Sequence, residues 1–465
     1  MKKLTCIYLF TVLAASIQAQ NYFSKATLAN DYIHAGGMLS FQNQHLAIVS
    51  EFCNGFLGPD CSYILKLEDD GSVQYLNGLG ETETFDRSFC AGADKLAVAS
   101  VNANGNMLLQ QFNQDLIEIQ QKIYPVSAAL WIFDMIEYGN HYIISTYLYG
   151  TVNANYPSLY WINKNNLTVD SIITFPVHES AFKALRIDHN NLLKVYYAKP
   201  NGQSILTMDE TMTIVDEWTN PETNNISYLQ FEVLPDNRLV YGLTANKYLK
   251  CFGSDGQLQW EKDVSAAFGV TEINFIRSMN KTSDGDILLC GVLTKSGYSF
   301  GFMYLIDNEG FQKWKRMYQI SGAKNQVLKS WVEIPGEGFL FYGTTDLDPA
   351  PSNTNAHDAH WALKTNYNGC AGAYCGTEIV VSTVNVNMIT PEVYPNPVAE
   401  MLRVEGIAEE TTANYQITDL TGKVIQQGSL VDDFISVQHL QAGIYFLAIS
   451  TPGSSAQSIT KFVKS

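Results

Sequence analysis

Charged side chains are sparse, at 16% of 465 residues, and acids outnumber bases for a formal net charge of −17. No basic run longer than a dipeptide occurs. A broad cationic face for DNA, RNA or an anionic membrane is therefore excluded. No apolar run reaches the roughly 20 residues of a transmembrane helix, so a soluble mature chain is expected. The sequence also lacks a nucleophile elbow, a His-Glu-x-x-His pair, a phosphate-binding glycine loop and an EF-hand loop. No cofactor is implied. Enzymes whose sites are assembled from scattered loops stay open, because no short motif captures them.

What is abundant is the material of β structure: 26 Tyr, 23 Phe and 33 Gly. That composition points to an all-β fold rich in turns. At the front, Lys2 and Lys3 precede an apolar run from Leu4 to Ala15, and Ile17-Gln18-Ala19 ends on a small residue. Residues 1–19 thus read as a cleavable signal peptide. Export places the remaining cysteines in an oxidising compartment. Cys53 and Cys61 flank one Gly/Pro-rich loop and Cys370 and Cys375 another, so two local disulfides are expected. Cys90, Cys251 and Cys290 lie in apolar, strand-like segments and read as buried thiols, with a catalytic or metal role as the alternative.

An apolar strand recurs along the chain: HLAIVS at 45, KLAVAS at 95, HYIIST at 141, LLKVYY at 192, RLVYGL at 238, DILLCG at 286 and GFLFYG at 338. Each is followed by a loop, a strand, a tight polar turn and another strand. The turns carry Asp, Asn and Gly, as in Asp69-Asp70-Gly71, Asn113-Gln114-Asp115, Asn308-Glu309-Gly310 and Tyr367-Asn368-Gly369. Such residues tolerate positive φ and hydrogen-bond locally. An aromatic stands four residues after several glycines, at Tyr75, Trp260 and Trp314. Seven units of four short strands predict a seven-bladed β-propeller over residues 20–376, with a stacked solenoid as the rival. The units loosely resemble the Asp-Gly…Trp turns of quinoprotein-like propellers, but no vicinal cysteine pair supports a quinone. The sequence leaves open whether a strand near Tyr22 to Leu28 closes the ring.

Residues 377–390 read as a linker. Beyond it stand Tyr394-Pro395-Asn396-Pro397, then Leu402-Arg403-Val404, Thr421-Gly422-Lys423, Gly443-Ile444-Tyr445 and a final Lys461-Phe462-Val463-Lys464. Alternating strands between Gly turns predict a small Ig-like β-sandwich over 391–465, and the paired prolines suit a strand entry. These residues closely resemble the type A sorting domain of the type IX secretion system of the Bacteroidota. The resemblance implies recognition by the type IX translocon, with Tyr394, Pro395, Asn396, Pro397, Gly422, Lys423, Gly443, Tyr445 and Lys461 carrying the motif. It also implies passage across the outer membrane, followed by release or surface anchoring.

Four units carry a basic residue in a similar context on the strand before the recurrent one: Arg87, Lys183, Arg277 and Lys329. The first strand of a propeller unit is innermost, so these four are expected at one level of the central channel. There they would bind an anionic group, or be satisfied by Asp86, Asp134 and water. The loop from Asp346 to His360 holds His357, Asp358 and His360, either weak candidates for a divalent metal or a solvated turn-rich loop. Exposed loop aromatics such as Phe56, Tyr147, Tyr149, Tyr156 and Tyr298 could stack on sugars or pack their own loops. A glycan- or protein-binding module is the first functional reading. A polysaccharide lyase or glycoside hydrolase using Asp86, Asp134 and Glu179 is the second, and a structural or adhesive surface protein the third.

Overall fold

A computed structural model of the chain describes residues 24–28, 33–52, 60–68, 71–80, 82–83, 88–126, 129–149, 156–174, 181–199, 202–220, 229–243, 248–270, 273–320, 323, 325–346, 358–371, 375–381, 392–405, 413–418, 424–430, 434–450 and 457–465. The signal segment and the Cys53 side of the first predicted disulfide lie outside these residues. No helix is long and apolar enough to cross a membrane among the described residues.

Before residue 382 the described strands form seven antiparallel up-and-down sheets, one for each sequence unit. The first sheet runs Ile33–Phe41, Gln44–Phe52, Asp60–Leu67 and Val73–Gly80. The sixth runs Ile273–Lys281, Ile287–Lys295, Tyr298–Ile306 and Gln312–Ile320. The innermost strand of each sheet contacts that of the next, and Gln326–Ile334 of the seventh contacts Ile33–Phe41 of the first. The sheets therefore close a ring, which is the β-propeller arrangement and not the solenoid.

Burial explains why the recurrent strand has no polar alternation. Both of its faces are covered, each by a neighbouring sheet, so it reads as a continuous apolar run. Leu46, Ala47, Ile48 and Val49 are all fully buried. Seven apolar cores result, and each is shared by two adjacent sheets. One joins Leu46 and Ile48 of the first sheet to Leu96 and Val98 of the second. Another joins Met38 and Leu65 of the first to Leu340 and Tyr342 of the seventh. The outermost strands face solvent on one side, and Val169–Thr174 duly alternates half-buried with exposed.

The seventh unit departs from the sequence pattern. Its fourth strand does not follow the Tyr367-Asn368-Gly369 turn. Ser24–Leu28 supplies it, antiparallel to Asp358–Thr365, with Ala26 opposite Trp361. The expected linker also differs, because Glu378–Val381 is a strand that pairs in parallel with Gln312–Ile320 on the outer edge of the sixth sheet.

The polar turns share one device. Asn113, Asp209, Asp307 and Asn366 each accept the N–H groups two and four residues onward on their side-chain oxygen. The fourth turn residue takes a positive φ, at Leu116, Met212, Gly310 and Gly369. These turns also link sheets. A β-carbon at Gly256 would lie 2.8 Å from Trp218, one at Gly310 2.7 Å from Trp260, and one at Gly369 2.8 Å from Trp314. In each case the outermost-strand tryptophan of one sheet fills the space left by glycine in the next. The Trp314 indole N–H also donates to the Tyr367 carbonyl at 2.8 Å.

Cys370 and Cys375 form the second expected disulfide. Cys61 is likewise disulfide-bonded. Cys90, Cys251 and Cys290 are free thiols. Burial pushes the Cys90 thiol up, and lifts Cys251 to about 12.

Two outcomes follow. Gly310→Ala incurs about 1–2 kcal/mol of left-handed backbone strain and about 1–3 kcal/mol of overpacking against Trp260. Gly285→Ala, also at positive φ but with nothing within 4 Å of the added carbon, incurs only the first cost. Urea melts of the two variants should differ accordingly, and equal losses would refute the tryptophan lock. Because the thiolate is the reactive form, Cys90 and Cys251 should resist alkylation in the native protein at pH 8 and react once it is unfolded. Mass spectrometry checks this.

Candidate functional site

The innermost strands carry a repeated irregularity. Register shifts fall between Ile33 and Ala35, Ile132 and Asp134, Phe182 and Ala184, Ile276 and Ser278, and Leu328 and Ser330. The residues that the register steps past are His34, Phe133, Lys183, Arg277 and Lys329. Each is a β-bulge, a device that re-aims a side chain. In the sixth and seventh sheets a glycine accommodates it. A β-carbon at Gly291 would lie 2.0 Å from the Phe275 carbonyl, and one at Gly343 2.2 Å from that of Val327.

Three of the four basic residues singled out from sequence thus share one register position. Arg277 and Lys329 sit at bulges on innermost strands that contact each other. Lys183 sits at the equivalent backbone position, though its side chain lies outside the described residues, as does Arg87 altogether. Arg277 is half-buried, and its guanidinium lies over the Phe275 ring at 4.7 Å. Its Nε is buried without a hydrogen-bond partner. Phe275 is 40% exposed, and Trp131, two residues before its own bulge, is 46% exposed. Lys329 is 8% exposed. His34 and Phe133 occupy the same register but lack the basic side chain that marks the position in the other units.

Asp134 does not serve the role foreseen for it. Its Oδ1 accepts the Met135 N–H at 3.0 Å, and its Oδ2 accepts the Leu185 N–H at 2.8 Å and faces Arg186 Nη1 at 3.4 Å. Arg186 also reaches Glu232 Oε2 at 3.3 Å and the Met279 carbonyl at 3.4 Å. Lys281 donates to the Val233 carbonyl at 2.7 Å. This buried network ties the third to the sixth sheets. Both oxygens of Asp134 are engaged in this network, and Asp86 and Glu179 lie outside the described residues.

The metal candidates fare similarly. His360 is fully buried. Its Nδ1 meets the Tyr342 hydroxyl at 2.9 Å, while its Nε2 meets the Tyr75 hydroxyl at 2.8 Å and Glu51 Oε1 at 2.9 Å. Both ring nitrogens are committed to the seam between the first and seventh sheets. His357 and the Asp358 side chain lie outside the described residues. Among the described residues no group of three or more His, Cys, Asp or Glu side chains could hold a metal ion.

The C-terminal residues form two facing sheets. One orders Glu392–Tyr394, Met401–Glu405 and Phe434–Ser436; the other orders Val424–Leu430, Ala413–Thr418, Gly443–Ser450 and Gln457–Lys464. Leu402, Val404, Ile417, Leu447 and Phe462 fill the core between them. The Tyr394–Pro395 and Asn396–Pro397 peptides are both cis. Between the prolines, Asn396 clamps the last strand: its Oδ1 accepts the Val463 N–H at 2.8 Å, and its amide donates to the Lys461 carbonyl at 3.3 Å. Arg403 lies over the Tyr394 ring at 5.4 Å, and Tyr445 stacks on Phe462 at 5.7 Å. Lys461 is exposed. Gly422 and Lys423 lie outside the described residues.

Residues 392–465 match the family described as Secretion system C-terminal sorting domain. No curated protein matches the chain in sequence. Among solved structures the chain is similar to a catalytically inactive virginiamycin B lyase from Staphylococcus aureus bound to quinupristin. That likeness has 12% identity and a TM-score of 0.47, over 74% of this chain and 100% of the other. It is also similar to the β-propeller domain of the Trilobed protease from Pyrococcus furiosus, with 10% identity and a TM-score of 0.43, over 72% of this chain and 98% of the other. These likenesses carry no inference about activity. The sorting domain marks the chain for type IX export, and so for the cell surface or the medium.

Asn396→Ala removes both clamps on the last strand. At about 1 kcal/mol per hydrogen bond, the sandwich should lose about 1–3 kcal/mol and the secreted fraction should fall. Immunoblots of medium against cells, beside a thermal melt of the full chain, check both.

Proposed function

We propose that this exported protein is a binding protein whose ring of sheets takes an anionic glycan, bearing carboxylate or sulfate groups, at the innermost-strand bulges. One observation carries the reading: the half-buried Arg277, with its Nε unpartnered, stacked on an exposed phenylalanine at a bulge that recurs around the ring. An unpaired buried donor is costly, and an anion would satisfy it with charge-assisted hydrogen bonds. Lys329 and Lys183 at the same register add charge of the same sign. Trp131 and Phe275 offer rings on which a sugar can stack. The type IX translocon is the partner during export. The alternative reading, a polysaccharide lyase or glycoside hydrolase, would require acids other than Asp134.

The test uses the mature full-length chain with neutral, uronic-acid and sulfated polysaccharides, recording melting shift and release of reducing or unsaturated ends together. A stabilising shift is expected for the anionic glycans alone. It should shrink between 0.1 and 1 M salt, where the Debye length falls from about 10 to 3 Å, and it should disappear in Arg277→Ala. Product release would move the protein to the enzyme reading. Absence of any shift would contradict glycan binding and favour a protein partner.

A further inference from the structure

A cleft of about 330 Å³ opens between the sixth and seventh sheets. It lies among the short turns, on the face opposite the loops that follow each second strand. Its wall combines carboxylates and rings: Asp284, Asp286 and Glu333 with Trp314 and Tyr367. The turn from Thr282 to Asp286, closed by the Thr282 N–H on the Asp286 carbonyl, presents the first two acids. Glu333 enters from the innermost strand of the next sheet and accepts the Ser283 N–H and hydroxyl, which fixes its carboxylate at the rim.

The protein's own side chains show what this cleft accepts. Lys313 lines it and places its ammonium 2.5 Å from Asp286 Oδ2. That ammonium is held above its ordinary pKa by the hydrogen bond to Asp286, with Asp284 and Asp307 adding to the effect. One lysine against three carboxylates leaves the wall negative. Asp286 side chain is 11% exposed, whereas Lys313 is 47% exposed and can swing out.

We propose that this cleft is a second binding site, which takes the alkylammonium side chain of a lysine-bearing peptide. Its volume lies at the small end of the range for ligand pockets. Trp314 is 8% exposed and offers an edge rather than a stacking platform. The space therefore suits a slim alkyl stem ending in an ammonium better than a flat sugar ring. The site is independent of the bulge ring in position and in the charge it selects.

The experiment measures binding of a short lysine peptide, its Nε-acetylated counterpart and a glucosamine oligomer to the mature full-length chain by calorimetry. The lysine peptide should bind, and acetylation should abolish binding because it removes the charge. Asp284→Asn, at an exposed turn position, should weaken the peptide roughly fivefold, the size of one exposed ion pair. Lys313→Met removes the competing ammonium and should strengthen it by a similar factor. Equal binding of the acetylated peptide, tighter binding of the glucosamine oligomer, or an unchanged affinity in Lys313→Met would each overturn the proposal. Melting curves of both variants confirm that the fold is retained.

Discussion

The structure depends on one constraint: a sheet with two apolar faces cannot be stable alone. Each middle strand of the ring is buried on both sides, and each apolar core is shared by two sheets. Removing one sheet would expose two cores, so the ring closes or none of it does. Closure rests on Ser24–Leu28 completing the seventh sheet and on the core between the seventh and first sheets. The buried Glu51–His360 pair lies at the same seam. Buried hydrogen-bonded side chains tolerate few alternative arrangements, so its contribution there is register. The first and last segments of the ring are thereby joined at the seam.

The ring also sets where chemistry can sit. Middle strands have no free face, and outermost strands are spread around the perimeter. Only the innermost strands bring equivalent residues of different sheets together. A bulge at the same register on several of them repeats one bulged residue around the axis. Arg277 and Lys329 are two such residues, and the Asp134–Arg186–Glu232 network shows how densely the neighbouring positions are tied. The short turns form a second surface of separate character. There Asp284, Asp286 and Glu333 leave an excess of negative charge between the sixth and seventh sheets.

Much of the fold was legible in the sequence because the physics behind it is local. Continuous apolar runs such as HLAIVS report burial on two faces, and Asp-Asp-Gly or Asn-Glu-Gly reports a hairpin needing positive φ. The spacing of these signals carries the unit count. The closing strand was less legible, because Ser24–Leu28 pairs with residues more than 300 positions away and carries no mark of its partner. The bulges were partly legible: Gly291 and Gly343 stand within their strands where a neighbouring carbonyl comes close, yet the other bulged sheets manage without glycine. Asp134 misled, since sequence alone cannot tell an acid that faces ligand from one that caps the next strand. The sorting motif was the clearest signal, and Asn396 shows why: its side chain does the work of a backbone strand partner between two prolines that cannot donate.

In the proposed binding mode the innermost strands, not the peripheral loops, receive the ligand. The most direct measurement is amide hydrogen exchange of the full-length chain with and without a saturating sulfated glycan. Binding at the innermost strands predicts slower exchange within 273–281 and 326–334, where the register steps past Arg277 and Lys329. Protection confined to the loops after the second strands, with these two segments unchanged, would contradict it.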